Sequence, residues 1–231
     1  MSVAMMAVFG VGFLLGLRHA LEPDHMIAVS TIASRSGSLY KAAMAGIFWG
    51  IGHTMTLLIV GMLLIGIRVT IPPTVEQWME AGVGMMLIVL GWMSVRAIRK
   101  EKVHVHAHEH DGERHIHFHS HRHQGDHEHH HDLNPQRASI WIGMIHGLAG
   151  SGALAMMTMA SIETTVQAFI YILLFGLGTI LGMLLFTVLL GLPFILFANY
   201  SEKTVQLLGM ATGFLSIIYG AYYAYESLAI A

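Results

Sequence analysis

The sequence predicts an all-α membrane protein whose six transmembrane helices form a 3+3 inverted repeat, with the first helix broken in its middle. Three observations predict it: long apolar runs almost free of charge, a polar stretch with a proline inside the first run, and a match of the chain to its own second half. Of 231 residues, 55% are hydrophobic and 11% charged, with a mean hydropathy of +0.61. A soluble domain carries roughly 25% charged residues. Half of the charged residues here lie between Arg99 and Arg137, so the remainder of the chain is poorer still.

Apolar runs of about 20 residues or longer, nearly free of charge, are candidate spans. Five are read at 41–67, 76–98, 138–161, 164–192 and 204–226. The first segment, Val3 to Ala33, is too long for one straight crossing of a ~30 Å core and too short for two. Arg18, Glu22, Pro23, Asp24 and His25 fall in its middle, and proline there interrupts the helical ladder. One discontinuous helix, its break facing protein or water, satisfies both facts. The domain expectation is a first three-helix repeat at 1–98, a histidine-rich loop without fixed structure at 99–137, and a second repeat at 138–231.

Positive residues orient the spans. Arg35 and Lys41 mark the first connection, and Arg96, Arg99, Lys100 and Lys102 open the third. The second has Arg68 against Glu76 and Glu80, and the fourth has only Glu163. Odd connections are therefore expected on the cytoplasmic side of the cytoplasmic (inner) membrane, with both termini outside. The start, Met1 to Met6, lacks the basic region of a signal peptide, so none is expected.

At a shift of 127 positions, Gly16-Leu17-Arg18-His19-Ala20-Leu21 lies over Gly143-Met144-Ile145-His146-Gly147-Leu148. At 126, Phe48-Trp49-Gly50-Ile51-Gly52 lies over Leu174-Phe175-Gly176-Leu177-Gly178, and at 129 Gly84 and Gly91 meet Gly213 and Gly220. Three matches in the same order, with nearly one shift, point to a repeat of three spans. Three is odd, so the halves face opposite ways, and inverted repeats with broken helices mark secondary transporters.

Composition removes several classes. The absence of cysteine excludes disulfide scaffolds, iron–sulfur clusters and thiolate zinc sites. A net charge of -2 without a basic face argues against a nucleic-acid partner. No phosphate-binding loop with its lysine occurs. The 17 methionines sit in apolar runs without a Met-x-x-Met array and are read as packing.

Metal chemistry is a different matter. His19, Asp24 and His25 fall within seven residues of an apolar segment. At ~100° per residue they could not converge from a regular helix, and Pro23 supplies the irregular backbone that lets them. Two imidazoles and a carboxylate suit nickel, cobalt, zinc or copper. The alternative is that Asp24 caps the second half-helix while the histidines serve structure. Ionisable groups inside a membrane are costly and usually functional, which favours the metal. His53, in Gly50-Ile51-Gly52-His53-Thr54, is either a further ligand or partner of one, or part of a close helix contact. His146, the repeat mate of His19, offers one ligand or a pathway contact. Gly150, Ser151 and Gly152 stand where the first motif is acidic.

The remaining histidines form a tract: His104, His106, His108, His110, His115, His117, His119, His121, His123, His127, His129, His130 and His131. Near-alternation raises a strand, but a polar, low-complexity segment reads as disordered. Imidazoles at this density chelate divalent late transition metals in many registers, which implies buffering or capture rather than selectivity. A soluble spacer is the bland alternative.

Arg18-His19-Ala20-Leu21-Glu22-Pro23-Asp24-His25 resembles the H-x4-D-H signature of the nickel/cobalt transporter superfamily. Gly52-His53-Thr54 is similar to the Gly-His-Ser/Thr motif on that family's next helix, and six spans resemble its short, urease-accessory and nickel/cobalt-efflux type. The resemblance implies transport of Ni²⁺ or Co²⁺ through His19, Asp24 and His25, with His53 contributing. The chain departs from larger members at Glu22-Pro23 and in lacking an acidic motif in its second half.

The expected function is therefore a non-enzymatic secondary transporter for Ni²⁺ and Co²⁺, with uptake ahead of efflux by proton exchange. An intramembrane zinc hydrolase with Glu22 as base, and a membrane metallochaperone, are lesser readings. The metal is cargo, and no resident cofactor is expected. Expected partners are a divalent transition-metal ion, membrane lipid and, as a candidate, a cytoplasmic metallochaperone.

Overall fold

A computed structural model describes residues 3–34, 36, 38–67, 69, 71–100, 104–110, 113–119, 135–148, 164–198 and 202–229. Among these, the helices are α1 (Val3–His19), α2 (Pro23–Ala33), α3 (Leu39–Ile67), α4 (Pro73–Lys100), α5 (Pro135–Gly147), α6 (Thr165–Ala198) and α7 (Glu202–Ala229). Four of them, α3, α4, α6 and α7, are long and apolar enough to cross a membrane, and the bent pair α1–α2 is a candidate fifth, by its geometry either a broken span or a re-entrant loop. Only 28–39% of each long apolar window is buried against the protein. The outward faces carry Leu14, Ile59, Leu63, Leu185 and Ile218, a surface that water would penalise and lipid accepts. The chain is a multi-pass membrane protein. Of the sixth expected span, 138–161, α5 forms the opening, and residues 149–163 lie outside the described residues. The span expected at 164–192 runs further, through Pro193 to Ala198.

The break in the first span follows from Pro23. The residue before a proline is pushed out of the helical region, and Glu22 is extended, with φ -63° and ψ 144°. The ladder tightens just before it: Leu21 N–H donates to the Arg18 carbonyl at 2.9 Å and Glu22 N–H to the His19 carbonyl at 3.0 Å. Pro23 then opens α2, a position where its missing donor costs nothing. The two half-helices meet at 55°. The matching place in the second half closes in the same way, with Leu148 N–H donating to the Ile145 carbonyl at 3.2 Å as α5 ends.

Helices approach most closely where glycine removes the side chain. A methyl group on Gly16 of α1 would overlap the Phe175 carbonyl of α6, and one on Gly178 would overlap the Phe13 carbonyl. In α5 and α3 the same relation holds between Gly143 and the Trp49 carbonyl, and between Gly52 and the Ile140 carbonyl. In α4 and α7, Gly84 lies on the Gly220 carbonyl and Gly91 on the Gly213 carbonyl. Under the 126–129 shift each contact maps onto another: Gly16·Phe175 onto Gly143·Trp49, Gly178·Phe13 onto Gly52·Ile140, and Gly84·Gly220 onto Gly213·Gly91. Gly46, Gly50 and Thr54 of α3 meet Thr187, Ile180 and Gly176 of α6 in reverse order, so these repeat mates are antiparallel.

Two apolar clusters flank the centre. One gathers Phe9, Leu57, Tyr171, Ile172 and Phe175; the other gathers Ala28, Val29, Trp49, Val83, Leu87 and Met183. Hydroxyls on α2 satisfy themselves locally, as where Ser30 and Thr31 donate to the Ile27 carbonyl at 2.8 and 3.0 Å.

Among the described residues the membrane part is all helical, as expected. Residues His104–His110 and Glu113–His119 pair as an antiparallel hairpin, β1 and β2. Strand pairing has a period of two, and the histidine spacing has the same period. The register sets position 104 against 119, 106 against 117, and 108 against 115. His121, His123, His127, His129, His130 and His131 lie outside the described residues.

Candidate metal centre

Pro23 turns the chain so that His19, on the last turn of α1, faces Asp24 and His25 on the first turn of α2. The His19 and His25 rings stand 4.4 Å apart between centroids. His53 comes from α3, and its ring lies 5.0 Å from His19 and 5.2 Å from His25. His146 comes from α5. Gly147 lets α5 settle on the His53 backbone, which sets the His146 ring 4.0 Å from that of His25. All five residues are buried. The structure thus brings together His19, Asp24, His25, His53 and His146.

Hydrogen bonds tie the cluster together. His146 Nε2 lies 2.7 Å from Asp24 Oδ2, and His25 Nδ1 lies 3.2 Å from Asp24 Oδ1. His19 Nδ1 lies 3.0 Å from Glu22 Oε2, and His19 Nε2 lies 3.1 Å from His53 Nε2. A carboxylate only accepts, so in each carboxylate contact the imidazole donates. That assigns the His19 proton to Nδ1 and leaves Nε2 to accept from His53. The other ring nitrogens, His25 Nε2, His53 Nδ1 and His146 Nδ1, are buried without a partner. Such lone pairs are a cost unless something binds them. The donor atoms of His19, His25 and His53 lie mutually within 4.8 Å, as do those of Asp24, His25 and His146.

Three further side chains were not singled out as site residues by the sequence reading. Glu22 entered it as a hydrolase base, and its place is on His19; its spacing of three from that histidine was the available signal. Trp49 lies beside the cluster, with its ring 6.3 Å from His25 and near parallel, and 5.6 Å from His146. Phe175 lies 5.4 Å from His19. The sequence paired Trp49 with Phe175 in the repeat without revealing what either touches.

Membrane-spanning helices around a buried imidazole–carboxylate set define a multi-pass membrane protein with a donor group for a divalent metal ion. The chain belongs to the high-affinity nickel-transport protein family, NicO, whose family model matches residues 5–218. It is 41% identical over 228 residues to the urease accessory protein UreH of Bacillus sp. (strain TB-90), covering 97% of this chain and 93% of that one. It is 23% identical over 185 residues to the chloroplast protein FOR GROWTH AND FERTILITY 2 of Arabidopsis thaliana, covering 78% of this chain and 46% of that protein. No solved structure matches the chain.

Proposed function

We propose that the chain is a secondary transporter carrying Ni²⁺, with Co²⁺ as a second cargo, inward across the cytoplasmic membrane. The observation that carries this reading is the burial of His19, Asp24, His25, His53 and His146 together at the break of the first span. Family membership supports nickel as the cargo. The relative's name, urease accessory protein, supports the inward direction, because an accessory to an enzyme is served by delivery on that enzyme's side of the membrane.

The exchanged helix contacts and the antiparallel run of α3 on α6 favour six spans in a 3+3 inverted repeat, with α5 opening the sixth. The two halves rock about the cluster and expose it alternately. The positive residues favour a cytoplasmic tract with termini outside, where the tract's thirteen histidines retain arriving metal. An inside-negative potential contributes ~2.3 kcal/mol per charge per 100 mV, about twice that for a divalent ion, so inward movement needs no ATP. Hydrolysis is disfavoured, because Glu22, the acid it would use as base, is bonded to His19.

Ni²⁺ flux into liposomes holding the full chain tests the proposal. An inside-negative potential is expected to drive accumulation. If the potential fails and an opposed proton gradient drives Ni²⁺ instead, the direction is efflux by proton exchange and uptake falls. Replacing the tract histidines by serine is expected to leave flux intact, whereas a metallochaperone would lose its function.

A further inference from the structure

Five donors in one cluster invite a single five-ligand ion, but the geometry divides them. The two groups of mutually close donor atoms are His19, His25 and His53, and Asp24, His25 and His146. His19 belongs to one group and His146 to the other. Metal–nitrogen bonds of about 2.1 Å place two ligands at right angles about 3.0 Å apart. In the first group the Nε2 atoms of His19 and His53 already stand 3.1 Å apart, and in the second His146 Nε2 and Asp24 Oδ2 stand 2.7 Å apart, each pair joined by a proton that an arriving ion displaces. The His53 and His146 rings are 6.0 Å apart.

Resting on the cargo-metal reading above, we propose that the ion occupies two successive positions, one held by His19, His25 and His53 and the other by Asp24, His25 and His146. His25 is the ligand common to both. Its ring stands between the two, 4.4 Å from that of His19 and 4.0 Å from that of His146. Its Nε2 is buried without a partner. The ion passes by exchanging one pair of ligands for the other while His25 keeps hold, so it is never released as a free hydrated ion inside the protein.

A second relation supports the division. His19 and His146 occupy matching places in the two halves, and so do Phe175 and Trp49. His19 lies against Phe175 at 5.4 Å, and His146 lies against Trp49 at 5.6 Å. Each half's histidine is flanked by the other half's aromatic ring. One ligand of each position, His19 or His146, is thus related to the other by the same exchange that relates the helix contacts, as expected of stations favoured in opposite orientations of a rocking carrier. They are not equivalent, since one has three nitrogens and the other includes a carboxylate. With Nδ1 on Asp24, His25 has one unpartnered nitrogen, Nε2, and a single nitrogen holds one ion at a time.

Crystals of the full chain soaked in Ni²⁺ test this by anomalous scattering at the nickel edge. Two peaks are expected on either side of His25, with occupancies that sum to no more than one. His53→Ala is expected to leave only the peak beside Asp24 and His146. His146→Ala is expected to leave only the peak beside His19 and His53. Each variant is expected to lose net flux at least tenfold. A single peak touching both His19 and His146, two fully occupied peaks, or no peak beside His25 overturns the proposal. If a variant fails to fold, the wild-type map alone decides. Two peaks without flux in wild-type liposomes would count against transport and leave the two positions standing.

Discussion

His146 Nε2 donates to Asp24 Oδ2 at 2.7 Å, a bond between residues 122 positions apart that joins α5 to the break after α1. Removing Asp24 strands His146, and removing His146 leaves Asp24 with His25 alone, both in a buried setting. Loss of one partner from a buried charged hydrogen bond costs about 3 kcal/mol. His146→Ala is therefore expected to lower the melting temperature more than Asp24→Asn. Combining the two should cost less than the sum of the singles, a coupling that a double-mutant cycle measures in thermal unfolding. Additive losses would mean that the bond carries no stability.

Pro23→Ala isolates the bend from the ligands. Without the ring, Glu22 is free to enter the helix, and His19, Asp24 and His25 drift toward directions about 100° per residue apart. Helical content by circular dichroism is expected to hold or rise, while Ni²⁺ flux falls at least tenfold. Retained flux with a straightened helix would separate the bend from metal handling.

Glu22 Oε2 lies 3.0 Å from His19 Nδ1. Partners that orient a ligating imidazole are worth about 10–100-fold in metal affinity. Glu22→Gln is expected to raise the KM for Ni²⁺ within that range. Folding should be unaffected, because this side chain is 37% exposed. Glu22→Asp should restore part of the affinity if its shorter arm still reaches Nδ1. A change confined to maximal rate would argue against an orienting role.

The glycine contacts make a prediction of opposite signs. Gly16→Ala and Gly143→Ala press a methyl group into a carbonyl across the interface, and overpacking typically costs 1–3 kcal/mol. Gly10→Ala and Gly82→Ala meet nothing within 4 Å and should gain about 0.5–1 kcal/mol from helix propensity. Thermal unfolding of the four purified variants checks both signs. Similar losses for Gly16→Ala and Gly143→Ala are the mark of matched interfaces.

Legibility in the sequence followed distance along the chain. The break and the convergence of His19, Asp24 and His25 are written into seven residues, because proline acts on its immediate neighbours. The approach of His146 to Asp24 depends on where α5 crosses α3, and only the repeat hinted at it. Trp49 and Phe175 were visible as matched positions, yet the rings they flank are set by packing that no local pattern encodes. Glu22 was legible as an acid but not as the partner of His19, since its direction depends on the extended backbone that Pro23 imposes. The hairpin at residues 104–119 shares its period of two with the histidine spacing, a signal carried within a few residues.

The exchange of partners between the halves bears on biogenesis. The glycine face of α1 rests on α6, and that of α5 rests on α3. As the chain is synthesised, α1 enters the bilayer before its partner helix exists, with Asp24 still waiting for His146. The first half therefore matures only when the second is inserted. Quality control that samples the nascent chain meets a carboxylate with Oδ2 still without its His146 partner until α5 arrives.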